Sequence, residues 1–405
     1  MLQAAHGQAC LGVETHMANF RILALDGGGS WALIQVMALI DLYSPQTTGR
    51  QVLADFDLAA ANSGGSIVLG GLLEDMTLGD LLGFFLSLKK RQSVFAPKLF
   101  HLPYTPKYLT VKKLLGLQAA LPRRGAWLLA DAAAEVRSAT TGRPIHLLIT
   151  GFDYDRNRSR FFRSAAAGGP GWGNGDPAQV QLAEAIHAST NAPVLFFDKP
   201  AQFHSEPTRR YWDGAIAGCN NPILAAVTEA VVLGHAPESL AALALGTGTV
   251  CLPSASAGAS ASPLVATPEE SGILHDIQKL AGAILDDPPD VATFIAHVLA
   301  GGSAGAPAPA GSRIVRMNPM VAPMGSAARG WTFPEGLDVR TFATLAHLAM
   351  DAVAQDQVLA IQNLATLWLQ DKVRNQPIRM NVDLDPELGQ ARYSQAKAAW
   401  NALRV

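Results

Sequence analysis

Residues 20–30 read FRILALDGGGS, an apolar run from Phe20 to Leu25 that passes through Asp26 into three consecutive glycines. A short, mainly apolar run of this kind is typical of a buried strand. Residues 30–43 continue with a helical pattern, for which Ser30 is a suitable N-cap. The stretch therefore predicts a strand, a glycine turn and a helix. Such a turn presents backbone N–H groups to an anion, either a bound phosphate or a transient oxyanion.

The same order recurs further along the chain. The apolar run at residues 56–61 ends at Asn62-Ser63-Gly64-Gly65, and residues 66–74 are helix-like. This is a variant of the G-x-S-x-G nucleophile elbow in which Ala61 replaces the first glycine. The positive end of the following helix would favour an alkoxide on Ser63. A serine between small residues is also a common helix N-cap, so the local pattern leaves both interpretations open.

A nucleophilic serine needs a base, and two kinds of residue are available. None of the ten histidines has a distinctive context, and His187 lies in an apolar helical stretch where a packed side chain is expected. Asp213, in the sequence YWDGA at residues 211–215, lies on a glycine-containing turn beside aromatic side chains. Desolvation there would raise the pKa of its carboxylate and make it a better base. A turn-capping aspartate is the alternative.

The wider pattern is that of an α/β protein. Residues 145–152 and 240–245 are further buried-strand candidates and residues 221–233 a helix, so strands and helices alternate and predict a mostly parallel sheet with helices on both faces. After residue 253 the sequence changes. Loops rich in Ala, Ser, Gly and Pro separate helical patterns at residues 272–286, 290–299 and 339–369. We expect a poorly ordered extension (1–19), a catalytic domain (20–252) and a mainly helical C-terminal region (253–405).

Charge is unevenly distributed. The whole chain has 31 Lys and Arg against 33 Asp and Glu, a net charge of −2, which argues against nucleic-acid binding. Residues 81–130 alone carry +9, which leaves −11 for the rest, and their basic residues alternate with aromatic ones. This basic segment, residues 81–130, is either a peripheral membrane contact or a solvated basic face over core-directed aromatics.

The sequence gives few indications of location. No apolar run reaches the ~18 residues needed to span a bilayer, and the first 20 residues lack the pattern of a secretory signal peptide. We therefore expect a cytoplasmic protein, or one secreted by another route. Three widely spaced cysteines suggest neither a disulfide framework nor a metal site.

Several motifs together resemble the patatin-like phospholipases in order and spacing. They are the glycine run after Asp26, the elbow at Ser63, the sequence AIHASTNAPVLF at 185–196, Asp213-Gly214-Ala215 followed by Asn220-Asn221-Pro222, and Leu245-Gly246-Thr247-Gly248. The resemblance covers roughly residues 20–250. It implies a three-layer α/β/α sandwich and a serine lipid acyl hydrolase of the phospholipase A or lysophospholipase type.

The resemblance also assigns roles to single residues. Ser63 would attack the ester with Asp213 as its base, and the amides of Gly27, Gly28 and Gly29 would form the oxyanion hole. The substrate would be a lipid or phospholipid, with no metal or organic cofactor. Two features depart from the family pattern: Trp31 and Ala32 stand where a basic residue and a glycine are usual, and Ala61 replaces an elbow glycine. An esterase or acyltransferase acting on soluble esters, and an inactive lipid- or partner-binding protein, remain as alternatives.

Overall fold

The computed structural model describes residues 19–98, 105–164, 179–194, 196–254, 262–266, 288–303 and 312–404. The strands, in chain order, are β1 (Phe20–Leu25), β2 (Leu58–Ala61), β3 (His146–Asp153), β4 (Arg158–Arg163), β5 (Tyr211–Asp213), β6 (Leu240–Leu245), β7 (Thr249–Val250), β8 (Ile314–Met317), β9 (Met320–Val321), β10 (Met324–Ser326), β11 (Gly330–Thr332), β12 (Arg379–Met380) and β13 (Pro386–Leu388).

The α-helices are α1 (Leu33–Leu42), α2 (Gly49–Leu53), α3 (Ser63–Leu73), α4 (Leu78–Leu86), α5 (Leu88–Val94), α6 (Thr110–Ala120), α7 (Leu129–Ala134), α8 (Leu182–Ser189), α9 (Ile223–Val232), α10 (Pro288–Leu299), α11 (Val339–His347), α12 (Gln355–Leu369) and α13 (Tyr393–Leu403). Short 3₁₀ helices occupy Gly29–Ala32, Gly214–Ala217 and Pro237–Ser239.

The central sheet has the strand order β4-β3-β2-β1-β6-β8, with β5 also paired to β3. The contacts β3–β2, β2–β1, β1–β6 and β6–β8 are parallel, whereas β4 and β5 are antiparallel to β3. Buried side chains of β1 alternate between two cores: Leu23 and Leu25 join the one that contains α1 and α3, while Ile22 and Ala24 join the one that contains α9. The predicted mostly parallel sheet with helices on both faces is confirmed.

Two predicted strands agree with the structure residue for residue. β6 is an uninterrupted, fully buried apolar run, and β1 is a buried apolar run broken only by the half-buried Arg21. For β2, β3 and the helices after the two glycine turns, the predicted type is right and the ends shift by one to three residues. Helix ends differ because capping and tertiary contacts, rather than apolar periodicity, set them.

The C-terminal region is more than the helical extension that we expected. It supplies β8, which pairs with β6 through Ala242↔Ile314 to Leu245↔Met317 and so completes the central sheet. The predicted helix at residues 339–369 is two helices, α11 and α12, separated by residues 348–354. We call this connection, residues 348–354, the strap. The predicted helix at residues 272–286 lies outside the described residues.

Candidate active site

Strand pairing brings Ser63 and Asp213 together. On one edge of β3, β2 pairs with residues up to Ile149, and β4 occupies the opposite edge. β5 pairs with β3 from Gly151 onward. It therefore lies on the same edge of β3 as β2, beyond the end of β2, and runs in the opposite direction. The end of β2, which leads into Ser63, therefore meets the end of β5, which is Asp213.

Ser63 lies on a strained turn, as a nucleophile elbow requires. Its φ angle is 44°, which is rarely adopted by a residue other than glycine, and it is the first residue of α3. The turn also brings backbones together, since a Cβ on Gly65 would lie 2.4 Å from the carbonyl oxygen of Leu25. Ala61 is fully buried within β2, and the elbow forms with its extra methyl group in place.

Asp213 is buried, and its carboxyl group accepts several hydrogen bonds. Its Oδ1 accepts from Asn62 Nδ2 and from the Ala215 N–H, both at 3.0 Å. The hydroxyl of Ser63 is close enough to this carboxyl group to lower its pKa. Burial raises the pKa of Asp213, and these hydrogen bonds offset part of that effect. Asp213 therefore caps its turn and contacts the serine at the same time.

The glycine run approaches Ser63 closely but does not offer all three amides to the site. The N–H of Gly27 donates to the carbonyl oxygen of Asn220 at 2.8 Å, so it is not available to an oxyanion. This corrects the prediction for Gly27, whose role is steric: a Cβ there would lie 2.9 Å from the Cβ of Ser63. Gly28 and Gly29 have no acceptor for their N–H groups within the described ranges, and they remain the candidate donors.

The two other glycine-containing motifs hold this run in place. The hydroxyl of Thr247 donates to the carbonyl oxygen of Gly27 at 2.6 Å, which fixes the orientation of the peptide unit that carries the Gly28 N–H. Asn221 Oδ1 accepts the N–H of Ile223 at 3.0 Å and thereby begins α9. The motifs around Asn220 and Thr247 therefore position the glycine run.

The sequence matches the family described as patatin-like phospholipase over residues 23–227, which is 205 of the 405 residues. The chain belongs to the patatin-like phospholipase family. It is 27% identical over 213 residues to the intracellular phospholipase A2 of Caenorhabditis elegans; that segment is 52% of this chain and 17% of the relative. The chain thus spans less than a fifth of that relative's length.

Among solved structures, the chain is similar to VipD from Legionella pneumophila, with a TM-score of 0.38 and 10% sequence identity over 95% of this chain and 74% of that chain. The predicted family membership is confirmed by the family match. The catalytic roles of individual residues stay predictions.

The departure from the family pattern at Trp31 has a structural role. Its side chain is buried, and its indole N–H donates to the carbonyl oxygen of Ala349 at 3.3 Å. The N–H of Ser30 donates to the carbonyl oxygen of Met350 at 3.0 Å. Residues next to the glycine run therefore hold the strap over the site.

Two spaces of different character meet at Ser63. A cleft of about 330 Å³ is lined by Asp213, Thr247, Arg316 and His347, among others, and its lining is about equally polar and apolar. On the other side lies a small apolar pocket, lined by Ile67, Phe95, Ala192, Phe196, Phe197 and Met350. Ser63 and Met350 border both spaces, so the strap lies at the boundary between them.

Sequence reasoning missed the polar residues that support Asp213. Asn62 Oδ1 accepts from the Thr150 hydroxyl at 2.6 Å, which leaves its Nδ2 directed at Asp213. The hydroxyl of Ser189 accepts the N–H of Ser63 at 2.9 Å. The AIHAS motif gave a signal for Ser189, whereas Thr150 lay inside a run that looked purely apolar.

A buried lysine is the second feature that the sequence did not disclose. Lys113 is fully buried, and its Nζ donates to the His187 carbonyl and to Asn191 Oδ1, both at 2.9 Å. The carbonyl of Asn191 accepts the N–H of Asp213 at 3.0 Å. Burial lowers the pKa of Lys113, and the positive charge of Lys113 acts to lower the pKa of Asp213. His187 is packed in the core as expected, and its pKa is lowered by burial and by Lys113.

The basic segment divides into buried, paired and exposed cations. Arg91, Lys113 and Arg124 are buried. Three more are paired with acids from other parts of the chain: Lys98 with Asp198, Lys107 with Asp351 and Arg123 with Glu74. Lys89, Lys90 and Lys112 are exposed. Phe100 and Tyr104 lie outside the described residues.

Neither a metal site nor a membrane span is found in the described part of the chain. No group of three or more His, Cys, Asp or Glu side chains there could hold a metal ion. No helix there is long and apolar enough to cross a bilayer.

Proposed function

We propose that the chain is a serine hydrolase that cleaves acyl esters of lipids, of the phospholipase A or lysophospholipase type. The observation that carries this proposal is the approach of Ser63, on its strained elbow, to the buried carboxyl group of Asp213, close enough for the serine side chain to lower the pKa of that group. A nucleophile beside its base is the arrangement that covalent acyl transfer requires. Family membership and the phospholipase relative support the choice of a lipid ester.

The reaction would proceed in two halves. The Ser63 hydroxyl gives its proton to Asp213 while Oγ bonds to the ester carbonyl carbon, and the Gly28 and Gly29 N–H groups stabilise the negative charge on the carbonyl oxygen. Each good donor contributes ~3–4 kcal/mol to such a transition state. The C–O bond then breaks, and the leaving alkoxide takes the proton from Asp213. Water repeats the sequence: it gives a proton to Asp213, attacks the acyl-enzyme and releases the fatty acid and the free serine.

The surroundings of Ser63 suit an amphiphilic substrate. The apolar pocket beside Phe95 and Phe197 has a volume of about 10 Å³, so it would have to widen to take the first carbons of an acyl chain, whose burial there would remove apolar surface from water. The larger cleft, which is lined by charged and polar side chains as well as apolar ones, would accept the alcohol part of the ester. Ser63 therefore lies between an apolar pocket and a cleft that offers polar groups, as the ester carbon of a lipid lies between its acyl chain and its head group.

The test compares two serines of the same helix. We expect purified protein to release fatty acid from phospholipid vesicles and to react with a fluorophosphonate probe. Ser63→Ala should lose both reactions, with turnover reduced at least ~10³-fold. Ser66→Ala, which changes a buried serine three residues further along α3, should still react with the probe.

The alternatives predict different results. Hydrolysis of short p-nitrophenyl esters without hydrolysis of vesicle lipids would replace the lipid hydrolase with an esterase acting on soluble esters. Transfer of the acyl group to an added alcohol in preference to water would indicate an acyltransferase. A folded protein that reacts with neither substrate nor probe would contradict the proposal and favour a binding protein.

A further inference from the structure

Strand β8 brings a buried arginine to the cleft of Ser63. Arg316 lies opposite Ala244 of β6 and, with the other end residues of the parallel strands, lines the cleft that contains Ser63 and Asp213. Only 2% of its surface is exposed. An arginine remains charged even in such a site, so its N–H groups require acceptors.

The acceptors around Arg316 do not satisfy it. Its Nη2 donates to Asp26 Oδ2 at 2.6 Å and lies 3.5 Å from Gln376 Oε1. That oxygen of Gln376 already accepts from Asn318 Nδ2 at 2.6 Å. The buried Nη1 has no hydrogen-bond partner among the described residues. A buried donor without an acceptor destabilises a protein by ~1–3 kcal/mol, and more where the group is charged.

The acid beside Arg316 balances its charge but not its hydrogen-bonding capacity. Burial raises the pKa of Asp26 to about 6, and the contact with Arg316 acts in the opposite direction, so Asp26 is mostly ionised near neutral pH and forms an ion pair with Arg316. Asp290 contributes to the raised pKa of Asp26, and its carboxylate accepts from Gln376 Nε2. Asp26 Oδ1 is itself buried without a partner among the described residues. The cleft therefore contains a cation whose hydrogen bonds are incomplete although its charge is paired.

We propose that Arg316 determines substrate specificity by binding a phosphate group on the alcohol part of the ester, through its unpaired Nη1. This inference rests on the proposed function, since it concerns the alcohol side of the same cleft. The planar guanidinium offers parallel N–H donors that match the oxygens of a phosphate. A cleft of about 330 Å³ falls at the lower end of the usual range for small-molecule sites.

The test uses two substrates that differ only in the phosphate: a lysophosphatidylglycerol and a monoacylglycerol with the same acyl chain. For Arg316→Gln, we expect kcat/KM on the lysophosphatidylglycerol to fall ~10–100-fold, mainly through KM, as for a hydrogen bond to a charged group. On the monoacylglycerol, kcat/KM should change less than threefold. Arg316→Lys should keep part of the preference. Equal losses on both substrates would mean that Arg316 only braces β1 against β8, and would overturn the proposal.

Binding measurements separate this proposal from the proposed function. In a Ser63→Ala background, calorimetry should detect the lysophosphatidylglycerol, and adding Arg316→Gln should weaken that binding while binding of the monoacylglycerol persists. That pattern would support the role of Arg316 even if wild-type protein hydrolyses neither lipid. Unchanged binding of the lysophosphatidylglycerol would contradict it.

Two further arms complete the design. The first arm adds inorganic phosphate at millimolar concentration. If free phosphate fills the same site, it should compete with the lysophosphatidylglycerol for binding. If it does not compete, and binding of the lysophosphatidylglycerol still depends on Arg316, the site is specific for the phosphate of the lipid.

Where Arg316→Gln alone does not fold, the double variant Asp26→Asn/Arg316→Gln removes both charges together and avoids an unpaired buried carboxylate. It should show the same selective loss, and retention of the preference for phosphate would overturn the proposal.

Discussion

Asp213, which we propose as the base, illustrates how a residue placed for catalysis can lower the stability of the fold that contains it. Its carboxyl group is buried, and its pKa is raised, so the folded protein disfavours the charged form that a base requires. Both bonds to Oδ1 come from donors, and an asparagine could accept them with its carbonyl oxygen. Replacing Asp213 by asparagine therefore removes the free-energy cost of burying a charge and keeps these two hydrogen bonds.

We predict that Asp213→Asn reduces turnover at least ~10³-fold while leaving the free energy of unfolding at pH 8 equal to or above that of wild type. Because the folded pKa exceeds the unfolded one, wild type loses stability relative to the variant as pH rises through the raised pKa. Denaturant unfolding of both proteins at pH 5 and pH 8 measures the difference. A variant that loses stability relative to wild type between pH 5 and pH 8 would have the wrong sign.

Lys113 gives a second prediction at the residue scale, on pH dependence. As a base, Asp213 acts only when ionised, so kcat/KM should fall as pH decreases through its pKa. The positive charge of Lys113 lowers that pKa. Lys113→Met, which fills the same space without charge, should therefore move the acid limb of the profile to higher pH.

Lys112→Met is the matched control for this shift. Lys112 is the neighbouring residue on α6 and is exposed, so its charge is screened by solvent. The acid limb should stay at its wild-type position in that variant. If Lys113→Met also left the limb in place with the fold intact, Lys113 would be uncharged at that pH, and its role would be limited to its hydrogen bonds with His187 and Asn191.

At the scale of elements, the strap depends on contacts from distant parts of the chain. Asp351 is almost fully buried and accepts from Lys107 Nζ and from the Tyr108 hydroxyl, both at 2.8 Å. Arg91 donates to the carbonyl oxygen of Val353 at 3.1 and 2.9 Å through Nε and Nη2. The basic segment therefore holds the connection that covers Ser63.

Asp351→Asn should loosen the strap without unfolding the protein. A hydrogen bond to a charged group contributes ~1.5–3 kcal/mol, so local opening should become ~10–100-fold more frequent. Hydrogen exchange of residues 346–354 measures this change. Asp356→Asn, an exposed residue in the first turn of α12, is the control. Equal exchange in both variants would show that the contacts of Asp351 do not hold the strap.

Elements that are specified by local sequence could be predicted. β1 and β6 are short, almost wholly apolar runs, and the local residues at Ser63 suffice to specify the elbow turn. β8 could not be predicted because its four residues include Arg316, whose burial depends on Asp26 nearly 300 positions earlier. The strap could not be predicted either. Its residues continue a helical pattern, and hydrogen bonds from Trp31 and Arg91 hold them in another conformation.

Contacts between residues far apart in sequence also limited the prediction of the site. Ser63 and Asp213 lie on turns with a recognisable local sequence, and the structure brings them together. The role expected of the Gly27 amide was wrong, because a single long-range hydrogen bond to Asn220 occupies it. Lys113 looked like one cation among nine in the basic segment, and only the packing of α6 against α8 places it behind Asp213.

For the whole molecule, the question is which part of the surface would contact a lipid membrane. The formal charge of +9 in the basic segment overstates the charge available at the surface, since Lys107 and Arg123 are paired and Lys113 is buried. Lys89 and Lys90 on α5 and Lys112 on α6 remain exposed, and these two helices pack against each other. Exposed Leu88, Val111 and Leu115 lie on the same pair of helices. We propose that this face contacts anionic membranes.

The membrane proposal predicts a charge effect that depends on position. Each Lys near an anionic bilayer contributes ~1 kcal/mol. The triple variant Lys89→Gln, Lys90→Gln and Lys112→Gln should therefore bind vesicles containing phosphatidylglycerol up to ~100-fold more weakly at low salt, and high salt should reduce the difference. Vesicle sedimentation measures it.

The control removes the same charge elsewhere, with Arg143→Gln, Arg158→Gln and Arg329→Gln, three exposed residues outside the basic segment. If the two triple variants lost binding equally, net charge alone would attract the protein to the vesicle. A loss confined to the lysine variant would place the contact on α5 and α6. Because Arg91 of α5 also holds the strap, membrane binding and access to Ser63 would then depend on the same face of the molecule.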